Sequence, residues 1–261
     1  MNQTSKFSGS RILLVGATGV LGRGYASAIA ELNVQLIIAD TAQSDVLLYA
    51  KELNVLGCEI DISSEDSVIK CIKYVENQLG GLDAVINNAA ATSESLMNSG
   101  DLFEDFENYP LSVWQKTIDV NLTGAFLLSR EAGKLIKKTS KYGNMINISS
   151  IYGLVAPDHR IYENQPFKSL PGYSASKSGI IGLSKWMSTW WGGSIRVNCV
   201  TPGGVFNGHN ESFVKEYSNR VPMGRMANRD ELVGIILYLL SDASSYVTGQ
   251  NFVVDGGYTA W

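Results

Sequence analysis

Tyr173 and Lys177 are the two residues of this chain whose types and spacing point most directly to chemistry. They stand four positions apart in a segment, residues 172–191, for which we predict a helix, and a helix brings such residues to one face. A phenol has an unperturbed pKa of about 10, and a neighbouring ammonium lowers it by stabilising the phenolate. The pair therefore predicts a general acid and base that exchanges a proton with an alcohol or a carbonyl.

The pair alone is a weak signal, because a helical tyrosine and a solvated lysine can have the same spacing. With 12 tyrosines in 261 residues, roughly half a match of this kind is expected by chance. The weight of the prediction comes from the elements and motifs around the pair.

Predicted strands and helices alternate along the chain. Apolar runs of strand length occur at residues 11–16, 34–39, 55–60, 84–87, 144–148, 195–200 and 252–254. Helical patterns fit at residues 22–32, 63–79, 111–138, 172–191 and 229–240. The strands are apolar throughout, which predicts an α/β fold with one doubly wound parallel sheet and helices on both faces. No linker or internal repeat interrupts the alternation, so we predict a single domain over residues 1–261.

Three connections, residues 89–110, 150–171 and 201–228, are long for an α/β domain. Such loops are usually functional or mobile. In an open α/β sheet the ligand lies beyond the carboxyl ends of the strands, where these connections leave the sheet. We therefore expect the binding site to lie among them.

A glycine-rich turn joins the first predicted strand to the first helix through Gly16, Thr18, Gly19, Val20, Leu21 and Gly22. Glycine lets the backbone approach a pyrophosphate, and the helix N-terminus supplies N–H donors. Asp40 ends the next strand, 18 residues after Gly22, where a carboxylate accepts hydrogen bonds from the adenosine ribose and repels a 2′-phosphate. This Rossmann pattern predicts NAD rather than NADP; the alternative for Asp40 is a helix N-cap.

The composition argues against several other classes of protein. The net charge is −4 and no basic cluster occurs, which disfavours nucleic acid as the partner and favours a small molecule. Three cysteines far apart in sequence and two histidines predict neither a disulfide framework nor a metal centre. Residues 1–6 lead into no apolar segment, and the apolar runs are too short to cross a bilayer. We expect a cytoplasmic protein with no membrane partner.

Several short motifs occur in order between residues 11 and 258 and resemble those of one known family. Beside the glycine-rich turn they are Asp61-Ile62, Asn87-Asn88-Ala89-Ala90, Asn121, Ser150, the pair Tyr173 and Lys177, Pro202-Gly203 and Asp255-Gly256-Gly257. Together they make nearly the whole chain similar to the short-chain dehydrogenases/reductases, in their compact single-domain branch.

This resemblance implies hydride transfer between a nicotinamide and a carbinol carbon. Tyr173 would exchange the hydroxyl proton, while Lys177 would lower the pKa of Tyr173 and bind the nicotinamide ribose. Ser150 would hydrogen-bond the substrate oxygen, and Asn121 would order a water of the proton relay. The cofactor contacts implied beyond the glycine-rich turn and Asp40 are Asp61, Ile62, Asn88, Ala89, Ala90, Tyr173, Lys177, Pro202, Gly203 and Val205.

The segment between Ser150 and Tyr173 is longer than is common in the family, and it supplies the candidate substrate contacts Tyr152, His159 and Arg160. With Tyr162 and Lys168, the last two could offer hydrogen bonds and positive charge to a polyhydroxylated or phosphorylated substrate. A solvated loop or a subunit contact is the alternative. Residues 157–163 and the tail 255–261 resemble oxidoreductases of bacterial flagellin-glycan and surface-sugar synthesis, which implies carbohydrate biosynthesis.

Two further features differ from the compact branch. The spacing Gly-x-x-Gly-x-x-Gly resembles the extended branch, which includes sugar-nucleotide epimerases, and Asn207 stands where a threonine often contacts the nicotinamide amide. The hypotheses that follow are an NAD-dependent alcohol dehydrogenase or ketone reductase, an epimerase or dehydratase with tightly bound NAD, and a dinucleotide-binding protein without turnover. The helix with Trp186, Trp190 and Trp191 resembles one that pairs subunits, which implies a homodimer or homotetramer.

Overall fold

Seven parallel strands form a single sheet at the centre of the molecule. The computed structural model describes residues 10–97, 106–163, 165 and 168–261. The strands are Arg11–Val15 (β1), Gln35–Asp40 (β2), Leu56–Glu59 (β3), Ala84–Asn87 (β4), Gly143–Ile148 (β5), Ile195–Pro202 (β6) and Asn251–Val254 (β7). Their spatial order is β3-β2-β1-β4-β5-β6-β7. The predicted α/β class with one doubly wound parallel sheet is confirmed.

Helices cover both faces of this sheet. Their bounds are Val20–Ala30 (α1), Val46–Glu52 (α2), Glu65–Leu79 (α3), Ser93–Met97 (α4), Leu111–Ile118 (α5), Gly124–Thr139 (α6), Pro171–Trp190 (α7), Glu211–Ser218 (α8) and Val233–Leu240 (α9). One core cluster joins the sheet to α3, α6 and α7, and a second joins its other face to α1, α2 and α9. Burial of these apolar side chains fixes the helices and, with them, the loops at the carboxyl edge.

The strand order reverses at β1, which pairs with β2 on one side and β4 on the other. Val15 lies opposite Ala39 of β2 and Asn87 of β4. The chains that leave these three strands therefore emerge side by side at one edge. In doubly wound sheets this switch point is where a crevice for a ligand opens.

The predicted helix over residues 111–138 is present, but it is not a uniform α-helix. Its backbone stays helical from α5 through α6 and widens into a π-helical turn at Asp119–Thr123. Turns of this type often mark functional sites. The apolar pattern could not show the extra residue, because one inserted position only shifts the helical face.

Three short helices lie where no helix was predicted, namely α2, α4 and α8. Helix α2 has seven residues and begins after Asp45 in the left-handed region, at φ 54°. Helix α8 begins after Asn210, whose side chain accepts a hydrogen bond from the Phe213 N–H. Elements this short carry little periodicity, which explains why the sequence pattern missed them.

Within the part of the chain that the structure describes, no helix has the length and apolarity needed to cross a membrane. Cys58, Cys71 and Cys199 are free thiols. The expectation for residues 1–6, and the parts of two long connections at residues 98–105, 164, 166 and 167, lie outside the described residues.

Candidate active site

The glycine-rich turn brings the backbone of three segments into close contact. Gly16 has φ +80°, and a Cβ atom there would lie 2.5 Å from the Ala89 N atom. A Cβ atom on Gly22 would overlap the Gly16 carbonyl oxygen, whereas one on Gly19 would come no nearer than 3.8 Å to that oxygen. Gly16 and Gly22 therefore shape the turn, and Gly19 leaves the N-terminus of α1 open to a ligand.

Gly22→Ala is expected to lower the free energy of unfolding of the cofactor-free protein by about 1–3 kcal/mol, because the new methyl group overlaps fixed backbone. Urea unfolding measures the change. Gly19→Ala is the matched control, since its methyl group meets open space and should change stability by less than about 0.5 kcal/mol. Equal stability of the two variants would contradict the packing role of Gly22.

A groove of about 680 Å³ runs along the carboxyl edge from β2 to β6. All of the predicted cofactor contacts except Gly22 line this groove. Gly22 lies behind the turn and acts through packing. The size of the groove, its position at the switch point and the close backbone approach fit a dinucleotide.

Asp40 fastens the glycine-rich turn to the end of β2. Its Oδ2 accepts hydrogen bonds from the Thr18 N–H (2.9 Å) and the Thr18 hydroxyl (2.6 Å), and its Oδ1 accepts from the Thr41 N–H (2.8 Å). The following 3₁₀ turn, Ala42–Ser44, has Thr41 as its N-cap, so Asp40 is not a helix cap. A carboxylate accepts several further hydrogen bonds, so Asp40 can still bind a ribose hydroxyl in the groove.

Tyr173 and Lys177 lie together on the first turns of α7, as the spacing predicts. The Lys177 Nζ lies 5.5 Å from the centroid of the Tyr173 ring and donates a hydrogen bond of 2.9 Å to the Ile148 carbonyl oxygen. Lys177 is 2% exposed. Burial lowers the pKa of its ammonium to about 8, because water no longer solvates the charged form.

Asn121 ties the loop after β4 to α7. It lies in the π-helical turn and is 1% exposed. Its Oδ1 accepts a hydrogen bond from the Ala91 N–H (2.6 Å), and its Nδ2 donates to the Ala91 carbonyl (3.2 Å) and the Ser176 hydroxyl (3.1 Å). Ser176 directly precedes Lys177, so this amide fixes the loop after β4 and helix α7 relative to each other.

A second, smaller cavity of about 210 Å³ adjoins the groove. Ser150 and Tyr173 line both spaces. Ser150 follows β5, and its hydroxyl accepts a hydrogen bond from the Tyr152 N–H (3.2 Å). A molecule in this cavity would contact the Ser150 hydroxyl and Tyr173, the candidate acid and base. It would also lie next to a ligand bound in the groove.

A family model described as enoyl-(acyl carrier protein) reductase, of the short-chain dehydrogenase type, matches residues 16–259. The chain belongs to the short-chain dehydrogenase/reductase family. It is therefore an oxidoreductase that acts on CH–OH or carbonyl groups with a nicotinamide cofactor. One structure similar to this chain contains NAD+, and another contains NADP.

Three similar proteins illustrate the range of this short-chain dehydrogenase/reductase family. An NADH-dependent L-xylulose reductase of Ambrosiozyma monospora is 32% identical over 99% of this chain and 98% of its own. Post-translational flagellin modification protein A of Campylobacter coli is 30% identical over 95% and 97%. A short chain dehydrogenase of Leptospira borgpetersenii with bound NAD+ is 32% identical over 99% and 96%, with a TM-score of 0.87.

The three candidate substrate contacts of this short-chain dehydrogenase/reductase lie in two places. Tyr152 lines the small cavity, but His159 and Arg160 line a neighbouring pocket on its outer side. Arg160 is 78% exposed and forms an ion pair with Asp158 (2.8 Å). Asp158 also binds Arg220 (2.6 Å), and these guanidinium groups hold its pKa below the usual range. The structure thus places Arg160 in a different pocket from Tyr173 and Lys177.

Sequence reasoning missed one wall of the cavity, which consists of His209, Phe213 and Tyr217. His209 also lines the cofactor groove, and its Nδ1 accepts a hydrogen bond from the Asn207 N–H (3.2 Å). The rings of His209 and Phe213 stack at 5.1 Å. Phe213 and Tyr217 lie four positions apart on α8, but His209 precedes this helix, and a helix of eight residues gives too little periodicity for the sequence to identify the wall.

Proposed function

We propose that this short-chain dehydrogenase/reductase, as one domain over residues 1–261, transfers a hydride between NAD(H) and a secondary alcohol or ketone. Its substrate would be small, polar and sugar-like. The observation that carries the proposal is that the groove and the small cavity meet at Ser150 and Tyr173. NADH formation with a panel of polyols, sugars and their phosphates tests it.

The bound nicotinamide would supply the hydride acceptor or donor. In oxidation, the phenolate oxygen of Tyr173 takes the proton of the substrate hydroxyl. In reduction, the Tyr173 hydroxyl donates that proton to the substrate oxygen. The Lys177 ammonium favours the phenolate by its positive charge. The Ser150 hydroxyl hydrogen-bonds the substrate oxygen, and Asn121 holds the cofactor loop against α7. Hydrogen bonds to the Ile148 carbonyl and to Ala91 hold Lys177 and Asn121 in place, which favours catalysis by limiting reorganisation.

The preference for NAD rests on Asp40. Its carboxylate lies in the groove, and the described residues that line the groove include no arginine to bind a 2′-phosphate. A 2′-phosphate beside this carboxylate would bring like charges together, which is costly. The NADH-dependent relative is consistent with this preference.

Asp40→Ser is expected to shift the ratio of the Kd values for NADP and NAD towards NADP by about tenfold or more. Titration of protein fluorescence with each cofactor gives both constants. Asp66→Ser is the control, because Asp66 is exposed on α3 and its removal changes the net charge equally. If Asp40→Ser leaves the ratio unchanged, Asp40 does not select the cofactor.

An epimerase or dehydratase with tightly bound NAD is the second candidate, favoured by the spacing of Gly16, Gly19 and Gly22. Such an enzyme reduces its bound NAD and oxidises it again within each turnover. NAD retained through purification, together with substrate conversion and no net NADH, would support this candidate over a dehydrogenase.

A cytoplasmic location, a role in carbohydrate biosynthesis and a homo-oligomeric assembly belong to the same proposal. The flagellin modification relative supports the biosynthetic role. Trp186 and Trp190 stack at 5.4 Å on α7 and are 58% and 69% exposed. An exposed aromatic pair of this kind is typical of a protein interface, and sedimentation would give the number of subunits.

A further inference from the structure

Two tyrosine hydroxyls face each other beside the catalytic cavity. Tyr152 lies in the 3₁₀ turn Ile151–Gly153, and Tyr162 ends the 3₁₀ turn His159–Tyr162. Their hydroxyl oxygens are 2.7 Å apart, and both residues line the cavity. The two tyrosines are ten positions apart in different 3₁₀ turns, so sequence spacing does not reveal this pair.

The chemistry of the pair suits a hydroxyl ligand. Each phenol has one proton and two lone pairs, and its proton rotates to suit its partner. A substrate hydroxyl also donates and accepts a hydrogen bond. It can therefore bind to the hydroxyls of this pair without leaving a buried polar atom unpaired. Burial raises the pKa values of Tyr152 and Tyr258. These phenols therefore stay neutral at the pH where an enzyme of this type works.

The cavity offers little to a phosphate or a carboxylate. Of the described residues that line it, none is a lysine or an arginine. The nearby guanidinium groups of Arg160 and Arg220 are both engaged by Asp158. A desolvated anion without a cationic partner is costly, so the lining favours an uncharged molecule.

The rest of the lining mixes apolar and uncharged polar groups with one imidazole, that of His209, and the space is small. Phe213 and Met226 supply apolar surface, and the Phe213 ring lies 5.6 Å from that of Tyr162. A volume of about 210 Å³ is below the range of roughly 300–1,000 Å³ that drug-sized ligands occupy. A short chain of carbons with hydroxyl groups matches both the size and the alternation of polar and apolar contacts.

We infer that Tyr152 and Tyr162 bind a hydroxyl group of a short, uncharged polyol or ketose and so determine the substrate class of this enzyme. The inference rests on the proposed function, because the same cavity holds Ser150 and Tyr173. If Tyr152 and Tyr162 bind a substrate hydroxyl, free polyols are better substrates than their phosphate esters and better than alcohols with a single hydroxyl. His159 and Arg160 then do not contact the substrate.

The test compares kcat/KM for a pentitol, its phosphate ester and a simple secondary alcohol of similar size. The variants are Tyr152→Phe, Tyr162→Phe and both together; Tyr142→Phe, at an exposed position, is the control. Each single change is expected to lower the ratio of kcat/KM for pentitol over simple alcohol by about tenfold, mainly through KM. In the double variant, the fold-decrease of this ratio should be smaller than the product of the two single decreases, because the two hydroxyls are hydrogen-bonded to each other.

Three outcomes would overturn the inference while leaving the proposed hydride transfer between NAD(H) and an alcohol or ketone intact. They are an unchanged ratio in the single variants, a wild-type preference for the phosphate ester, and turnover of simple alcohols alone. A structural role would lower both kcat/KM values equally and leave their ratio unchanged, so poor folding cannot imitate the expected result. Absence of NADH formation with all three substrates would instead contradict the proposed function.

Discussion

Tyr173→Phe is expected to lower kcat by about 10²–10⁴-fold while the Kd for NAD stays within a few-fold of wild type. The change removes one hydroxyl, and general acid and base catalysis contributes about this much to turnover. The ring that Lys177 faces at 5.5 Å remains, so the shape of the groove should persist. Steady-state kinetics with a substrate that the wild type oxidises, together with a cofactor titration, measures both effects.

Tyr246→Phe is the matched control for this loss, because Tyr246 is fully exposed and lies away from the groove and the cavity. It should leave kcat and the Kd for NAD unchanged. A Tyr173→Phe variant that retains more than about a tenth of wild-type kcat would remove Tyr173 from the role of acid and base. A variant that lost NAD binding as well would show that the hydroxyl supports the groove.

The cofactor end of this site could be predicted because local rules determine it. Gly16 has a positive φ, and Gly22 has no room for a Cβ atom. Each of these positions requires glycine, so the requirement is visible in the sequence. Tyr173 and Lys177 share a helix, so their spacing alone gives their proximity. Short-range geometry of this kind appears in a sequence pattern without knowledge of the tertiary fold.

The substrate end could be predicted only in part, because it depends on contacts between distant segments. Arg160 has the type of a ligand-binding residue, yet its ion pair with Asp158 and its exposure turn it away from the cavity. Tyr162 and Phe213 meet across 51 positions of sequence. Residue type suggests which groups can bind a ligand, but tertiary packing decides which of them reach the cavity.

The π-helical turn at Asn121 shows the same limit within one helix. The apolar pattern correctly indicates a helical segment from α5 to α6. Within the turn, the Asn121 amide pairs with Ala91, 30 positions earlier. A contact between segments this far apart leaves no signal in the helical period, so the apolar pattern could not locate the turn.

Lys177→Met is expected to raise the free energy of unfolding of the cofactor-free protein at pH 7 by about 1–2 kcal/mol while lowering turnover by at least about 10²-fold. The wild-type ammonium is buried, and its pKa falls from 10.5 to about 8. Burial of the charge therefore costs stability, and the bond to the Ile148 carbonyl offsets about 1 kcal/mol of that cost. Methionine fills similar space without a charge.

The pH dependence separates this cause from simple repacking. The folded pKa lies below the unfolded pKa, so between pH 8 and pH 10.5 the unfolded wild type binds more protons than the folded one. The contribution of Lys177 to the free energy of unfolding of the wild type should therefore rise with pH across that window and stay constant below it. The advantage of Lys177→Met should shrink over the same window, as urea unfolding at pH 7, 9 and 10 would show.

Lys185→Met, at an exposed position on the same helix, should change stability by less than about 0.5 kcal/mol at each pH. A Lys177→Met variant less stable than wild type at pH 7, with a parallel pH profile, would mean that the ammonium stabilises the fold. The expected result would mean the opposite. The fold would then carry a destabilising charge beside Tyr173, a cost that proteins accept at catalytic positions because the chemistry depends on it.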